Sequence, residues 1–415
     1  MARKTNNLFP EPAVAVTGIG MITPLGISTA ECWKNLLNGV SGISRIMQFD
    51  PSDCPIQVGG QLPDEYAALE KSLIHKRIQK QTGKSTRIAM MCAEQAWADS
   101  RLDIKACDPM RCAVIIGTSG SSVRGPDDAV SHPDKFKIIR EMFNAPAARI
   151  SLDHKFKGPS YTISSSSESG ARAIINAYDL IRQGHVDVAV AGGTDTLLTP
   201  NFLKRLESFH CLCQDIENPG RSIKPFDKNR NGFAVSDGGC IVILELLESA
   251  IQRNANIYAV MAGYGELTDL SFSETHMQMA DVMEKAISNA SVSREKIVYI
   301  CANATATIDD DRNETMAVKR IFGKHAYEML ISSNKSMIGH TFSASGAIGF
   351  AVAALTIKTG HIPPTINYET PDPTCDLNYV PNGNLSLNHI PAAISNTFAF
   401  NGHYDSIVLK AFPLN

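Results

Sequence analysis

Six short apolar runs set the frame for this chain: 13–17, 112–116, 186–191, 239–244, 297–301 and 392–396. Each is apolar on both alternating faces. A strand with one wet face would alternate, so these runs predict strands buried between layers. The segments between them carry the helical period. Residues 85–100 place Ile88, Met91, Cys92, Gln95 and Ala96 on one face, and 171–183 do the same with Ala171, Ile174, Ile175, Tyr178 and Ile181. Strands alternating with helices predict an α/β protein. Twice, a central strand ends in a small-residue loop that opens an apolar helix: 158–170 into 171–183, and 329–340 into 343–359. This predicts an internal duplication, two α/β halves fused into one body.

A chain of 415 residues has room for two or three domains of the usual 100–200 residues. No Pro/Ser/Gly-rich linker or low-complexity tract divides it, so the expected division is by halves, 13–255 and 256–412. The basic stretch 76–87 (KRIQKQTGKSTR) reads as a solvated loop leading into a helix.

With 44% apolar and 20% charged residues, the chain is not disordered. Its 39 basic and 42 acidic residues leave a net charge of -3, which argues against nucleic acid or an anionic membrane as the main partner. No run reaches ~18 apolar residues, so no membrane span is expected. The first 12 residues hold Arg3 and Lys4 but no apolar core, unlike a signal peptide. Of the 10 cysteines, Cys92, Cys112, Cys240 and Cys301 sit in apolar runs, where a free thiol acts as a small hydrophobe. A cytoplasmic protein with reduced thiols is the expectation.

Several motifs fail on spacing. Gly83-Lys-Ser lacks the glycine a phosphate loop needs five residues earlier, where Ile78 stands. Asp227, Asn229, Asn231 and Gly232 open like a calcium loop, but the twelfth position is Gly238 instead of Glu. The pairs Cys211/Cys213 and Cys107/Cys112 lack zinc spacing. No metal and no cofactor are expected.

Four segments carry chemistry together. They are 158–170 (GPSYTISSSSESG), 299–307 (YICANATAT), 332–340 (SSNKSMIGH) and 396–402 (NTFAFNG). In the first, Ser165 and Glu168 have capping-box spacing, and a side chain at such a helix start meets free amides and the positive end of the dipole. That placement suits a nucleophile and equally a plain cap. The segments 190–195 (VAGGTD) and 226–233 (FDKNRNGF) are of the same small-residue kind.

In order and spacing these segments, with 16–24 (VTGIGMITP) and Ser41-Gly-Ile43, resemble the β-ketoacyl-[acyl carrier protein] synthase family over 13–412. The resemblance implies a thiolase-like fold, two duplicated α/β halves in a five-layered αβαβα arrangement, and dimerisation. It implies a site with a Cys nucleophile, two His and a Lys. The Cys position is Ser167 here, the first His position is Asn303, and the second His and the Lys are kept as His340 and Lys335. A serine hydroxyl is far less acidic than a thiol of pKa ~8.5, and a dipole contribution of about 0.3–2 kcal/mol does not ionise it. It needs a base in contact, for which His340 is the candidate. Asn303 is a hydrogen-bond donor that suits an oxyanion.

Two further departures stand out. The gate turn of the family, glycine-rich around two phenylalanines, is Phe398-Ala-Phe400-Asn-Gly402 here, which predicts a stiffer gate. A basic residue expected at the carrier-protein surface is His210, which predicts docking shifted to a partner subunit. The segment after the 112–116 strand, with Gly120, Ser121 and Ser122, is expected at the dimer interface near the floor of an acyl tunnel.

The resemblance therefore implies a non-condensing subunit, the chain length factor (ketosynthase β subunit) of a type II polyketide synthase. Such a subunit pairs with an active ketosynthase as a heterodimer, meets the acyl carrier protein indirectly and sets polyketide chain length. Two alternatives stay open: a serine-dependent acyltransferase or hydrolase acting on carrier thioesters through Ser167, and a non-catalytic homodimer that holds an acyl chain.

Overall fold

A computed structural model describes residues 12–120, 135–213, 215–270 and 274–412. Among the described residues the main sheet has ten strands, six of them at the expected runs. The first half holds β1 (Val14–Ile22), β2 (Cys112–Gly117), β3 (Ser160–Ile163), β4 (Val188–Asp195) and β5 (Gly238–Leu246). The second holds β6 (Ala259–Thr268), β7 (Ile297–Cys301), β8 (Leu330–Ser332), β9 (Ala392–Phe398) and β10 (His403–Lys410). They hydrogen-bond in the order β8-β7-β9-β10-β6-β1-β5-β4-β2-β3. Read outward from the centre, each half runs first, fifth, fourth, second, third. The pairing senses also repeat: the second strand of each half lies parallel to the third and fourth, and the fifth antiparallel to the fourth and first. The halves join where Val14–Val16 pairs antiparallel with Ala259–Met261. The expected duplication is thus written in the topology.

Two helices fill the middle. α3 (Ser169–Arg182) and α6 (Ser343–Thr359) pack on each other, and α6 touches strands of both halves. Every residue of α6 from Ser343 to Ile357 is buried, as a helix apolar all round must be. Outside the first half lie α1 (Lys84–Ser100) and α2 (Ala145–His154); outside the second lie α4 (Thr275–Ala290) and α5 (Ile308–Phe322). Helices, strands, central helices, strands and helices make five layers. Separate apolar cores fill the central and both outer interfaces. The packing is close where the site will form: a Cβ on Gly170 of α3 or on Gly193 of β4 would stand 2.2 Å from the carbonyl oxygen of Ser343.

The stretch 76–87 is not a loop. Lys76–Gln81 is a short helix capped by the His75 side chain, which accepts from Arg77 N, and α1 begins at Lys84. All ten cysteines are free thiols. Asp227 lies in a polar turn, accepting from the amides of Asn229, Glu369 and Thr370. Among the described residues no helix is long and apolar enough to cross a membrane.

Candidate active site

The nucleophile position is built by the entry into α3. Ser166 sits at φ 96°, in the half of φ space that costs a non-glycine residue about 1–3 kcal/mol. Ser167 follows, buried, and its Oγ has no hydrogen-bond partner. The capping box expected from Ser165 and Glu168 does not form. The hydroxyl of Ser169 takes its place, accepting from Ser165 N at 3.0 Å and donating to Ser166 O at 2.5 Å.

Glu168 therefore makes no cap and no well-aligned hydrogen bond. It is fully buried, and burial pushes its carboxyl up to about 7 against the opposing pull of its own amide, Ser165 and Arg172. Arg172 is already committed to Asp405, at 2.7 and 3.2 Å, and to Glu266 at 2.9 Å. Burial pushes Asp405 up to about 8, outweighing Arg172.

Asn303 follows β7. The Glu314 carboxylate of α5 accepts from the amides of Asn303 (3.1 Å) and Ala304 (2.9 Å) and from Asn396 Nδ2 (2.9 Å), which pins this corner. Lys335, buried in the short helix Lys335–Ile338, donates Nζ to the Asn303 backbone oxygen at 2.5 Å and to Oδ1 at 3.2 Å. Burial pulls the Lys335 ammonium down, while Glu314 and its acidic neighbours oppose. Because Oδ1 faces Lys335, the Asn303 NH2 group is turned the other way, as a donor.

His340 is held by backbone bonds to Ala234 O and from Ser236 N. Its Nδ1 accepts from Phe342 N at 3.0 Å and lies 3.3 Å from Ser345 Oγ. An acceptor Nδ1 places the ring proton on Nε2. Burial, and then Lys335, pull its pKa well below the ordinary histidine value. His340 is thus a neutral ring that presents an N–H. Such a ring can donate to an oxyanion and does not offer a free lone pair on Nε2.

Aromatic rings surround it: Phe342 at 4.6 Å, Phe233 at 4.8 Å and Phe400 at 6.0 Å between centroids, with Phe202 edge-on to Phe342 at 5.0 Å. Phe398 is buried; Phe400 is 43% exposed. The turn that carries them has a tether that glycine cannot provide, Asn401 Nδ2 donating to Ser165 O at 3.2 Å.

The fold thus brings Lys335, Asn303, His340, the 398–402 turn and the 165–169 segment to one place. It does not join Ser167 to a base. Gly120 lies at φ 79° with its Cα against the Phe143 ring; Ser121 and Ser122 lie outside the described residues. His210 is exposed at the end of the 207–209 turn, just after Lys204 and Arg205. Sequence reading did not single out Phe233, Phe342 or Ser343 as site residues; a serine opening an otherwise apolar helix was the available signal for the last.

Models of the β-ketoacyl synthase N-terminal domain and C-terminal domain match residues 11–250 and 258–369. The chain is 34% identical to 3-oxoacyl-[acyl-carrier-protein] synthase 2 of Coxiella burnetii, over 96% of this chain and 98% of that one. It is 32% identical to the tetracenomycin polyketide synthase ketoacyl synthase alpha subunit of Streptomyces glaucescens, over 90% and 91%. Among solved structures it is similar to a chain from a type II polyketide synthase acyl carrier protein in complex with its ketosynthase (TM-score 0.87, 31% identity, 97% and 99% covered). It is also similar to a chain of the ishigamide ketosynthase/chain length factor (TM-score 0.88, 27% identity, 97% and 100% covered). With the thiolase-like fold and the site geometry already described, these matches place the chain in the β-ketoacyl synthase family.

Proposed function

We propose that this chain is a non-condensing, ketosynthase-like subunit, a chain length factor that pairs with an active ketosynthase and sets polyketide chain length. The observation that carries the reading is the state of Ser167: a buried hydroxyl with no hydrogen-bond partner, in a site whose one histidine already holds its proton on Nε2. Condensation needs a nucleophile that can be acylated, and a serine without a base is a poor one. The serine acyltransferase reading needs that same base and loses it on the same geometry. What the site retains is a set of donors, Asn303, His340 and Ser167, suited to an oxyanion.

The outer face supports a protein partner. Among the described residues β3 is the last strand of the sheet, with no further strand on its outer edge. Ile138, Ile139, Met142, Phe143 and Leu152 are exposed in the segments that precede it. Large apolar side chains grouped this way mark an interface. We assign the partner as a homologous, active ketosynthase, with carrier-protein contacts made chiefly through that partner. The halves 13–255 and 256–412 form the ketosynthase-like body, and the segment that holds Gly120 contributes to the tunnel floor at the partner interface.

The test is co-expression with a ketosynthase that keeps Cys and both His. The expected result is a co-purifying heterodimer whose product length is unchanged by Ser167→Ala. Condensation by the isolated protein, lost on Ser167→Ala, would overturn the reading.

A further inference from the structure

We infer that Ser343 is a positioning residue: its hydroxyl holds the strained backbone at Ser166, so sets the aim of residue 167, and ties both to the loop at 118–120. Three segments far apart in sequence meet at this hydroxyl. Ser343 Oγ donates to Ser166 O at 3.2 Å, and Ser119 Oγ lies 2.6 Å from Ser343 Oγ. A hydroxyl has one proton to give. Ser343 spends its proton on Ser166, so Ser119 is the donor to Ser343, and the bonds run one way, from 119 to 343 to 166.

Asp195, at the end of β4, fixes the first two members of this relay. Its carboxylate accepts from Ser343 N at 3.0 Å, from Ser119 N at 3.1 Å and from Thr118 Oγ1 at 2.9 Å. Ser343 and Asp195 are fully buried, so a polar group left unpaired on either is costly. The Ser166 carbonyl accepts three donors in all, from Ser169 N, Ser169 Oγ and Ser343 Oγ. Two of the three come from Ser169 of α3 itself; Ser343 alone brings the second half of the molecule to bear on the φ 96° residue. A side chain at 167 therefore points where two elements of different halves agree.

The inference goes beyond the pairing proposed above, because its readout is thiol chemistry at position 167. In Ser167→Cys, the thiolate displaces iodide from iodoacetamide, and the rate at residue 167 is followed from pH 5 to 10 by mass spectrometry of the peptide that carries it, which separates it from the ten native thiols. A thiol aimed at the start of α3 reacts with a lowered midpoint. Adding Ser343→Ala is expected to raise that midpoint by about one pH unit and slow alkylation at pH 7 about tenfold. Adding Ser119→Ala, which leaves the Ser166 carbonyl untouched, is expected to shift it the same way by less. Thermal melts establish folding; if Ser343→Ala does not fold, Ser119→Ala and Ser343→Thr, which keeps the hydroxyl, decide. Profiles of the folded variants that superpose on Ser167→Cys alone would overturn the inference.

Discussion

The backbone N–H of Phe342 donates to Nδ1 of His340 at 3.0 Å, and this bond decides what the one retained histidine can do. With Nδ1 occupied as an acceptor, the proton sits on Nε2. Burial and the neighbouring Lys335 then keep the ring from taking a second proton near neutrality. A base at this position would need the opposite tautomer, which would set an N–H against an N–H.

The ring should therefore show no titration between pH 6 and 8, with Nε2 protonated throughout. Nitrogen NMR of labelled histidine reads this directly, and an Nδ1–H tautomer would sink the assignment. The linkage follows in sign. The unfolded chain takes up a proton near pH 6.5 and the folded ring does not, so stability falls as pH drops below that value, by up to about 1.4 kcal/mol per unit for this group.

Glu168 works in the other direction. Its carboxyl is pushed up to about 7 in the fold and is near 4.5 when unfolded. The folded state keeps a proton the unfolded state has lost, so its contribution is full below pH 4.5 and falls away as pH rises to about 7. Glu168→Gln should remove that loss and stabilise the protein at pH 8 by about 1–3 kcal/mol, with little change at pH 4.5. Melting curves across that range check it; a variant less stable than the parent at pH 8 would show a role for the charge.

Restoring the residues that the family pattern expects should restore chemistry. Ser167→Cys with Asn303→His is predicted to give detectable condensation of acyl and malonyl carrier thioesters, and Ser167→Cys alone about 10²-fold less. Mass spectrometry of the carrier-bound product measures this. Equal turnover by the unaltered chain would contradict the non-condensing assignment.

The exposed apolar surface beside β3 should matter only in the complex. Leu152 on α2 is 69% exposed. Leu152→Asp should leave the isolated chain within about 0.5 kcal/mol of its stability, yet weaken partner retention at least tenfold in size-exclusion and pull-down assays. Unchanged retention would move the interface elsewhere.

Much of the architecture was legible from local patterns. Strand β7 and helix α6 occupy the spans expected, 297–301 and 343–359, because a run buried on both faces or apolar all round carries its boundaries in its own composition. The identities at 167, 303, 335 and 340, read against the family pattern, carry the expectation of a degraded condensing site, on which the proposed function rests. The helix 76–81 escaped because a polar segment without an apolar period looks like a loop; a cap from His75 and packing beside α1 make it helical.

What the chain could not disclose was pairing at a distance. The capping box was lost to the Ser169 hydroxyl, a nearer competitor for the same amide. The tautomer of His340 hangs on one backbone N–H. The relay through Ser119, Ser166, Asp195 and Ser343 joins residues up to 224 positions apart. Sequence determines which side chains are available and which local period they follow. Only the tertiary packing decides which donor reaches which acceptor first, and at this site that choice separates a base from an oxyanion donor.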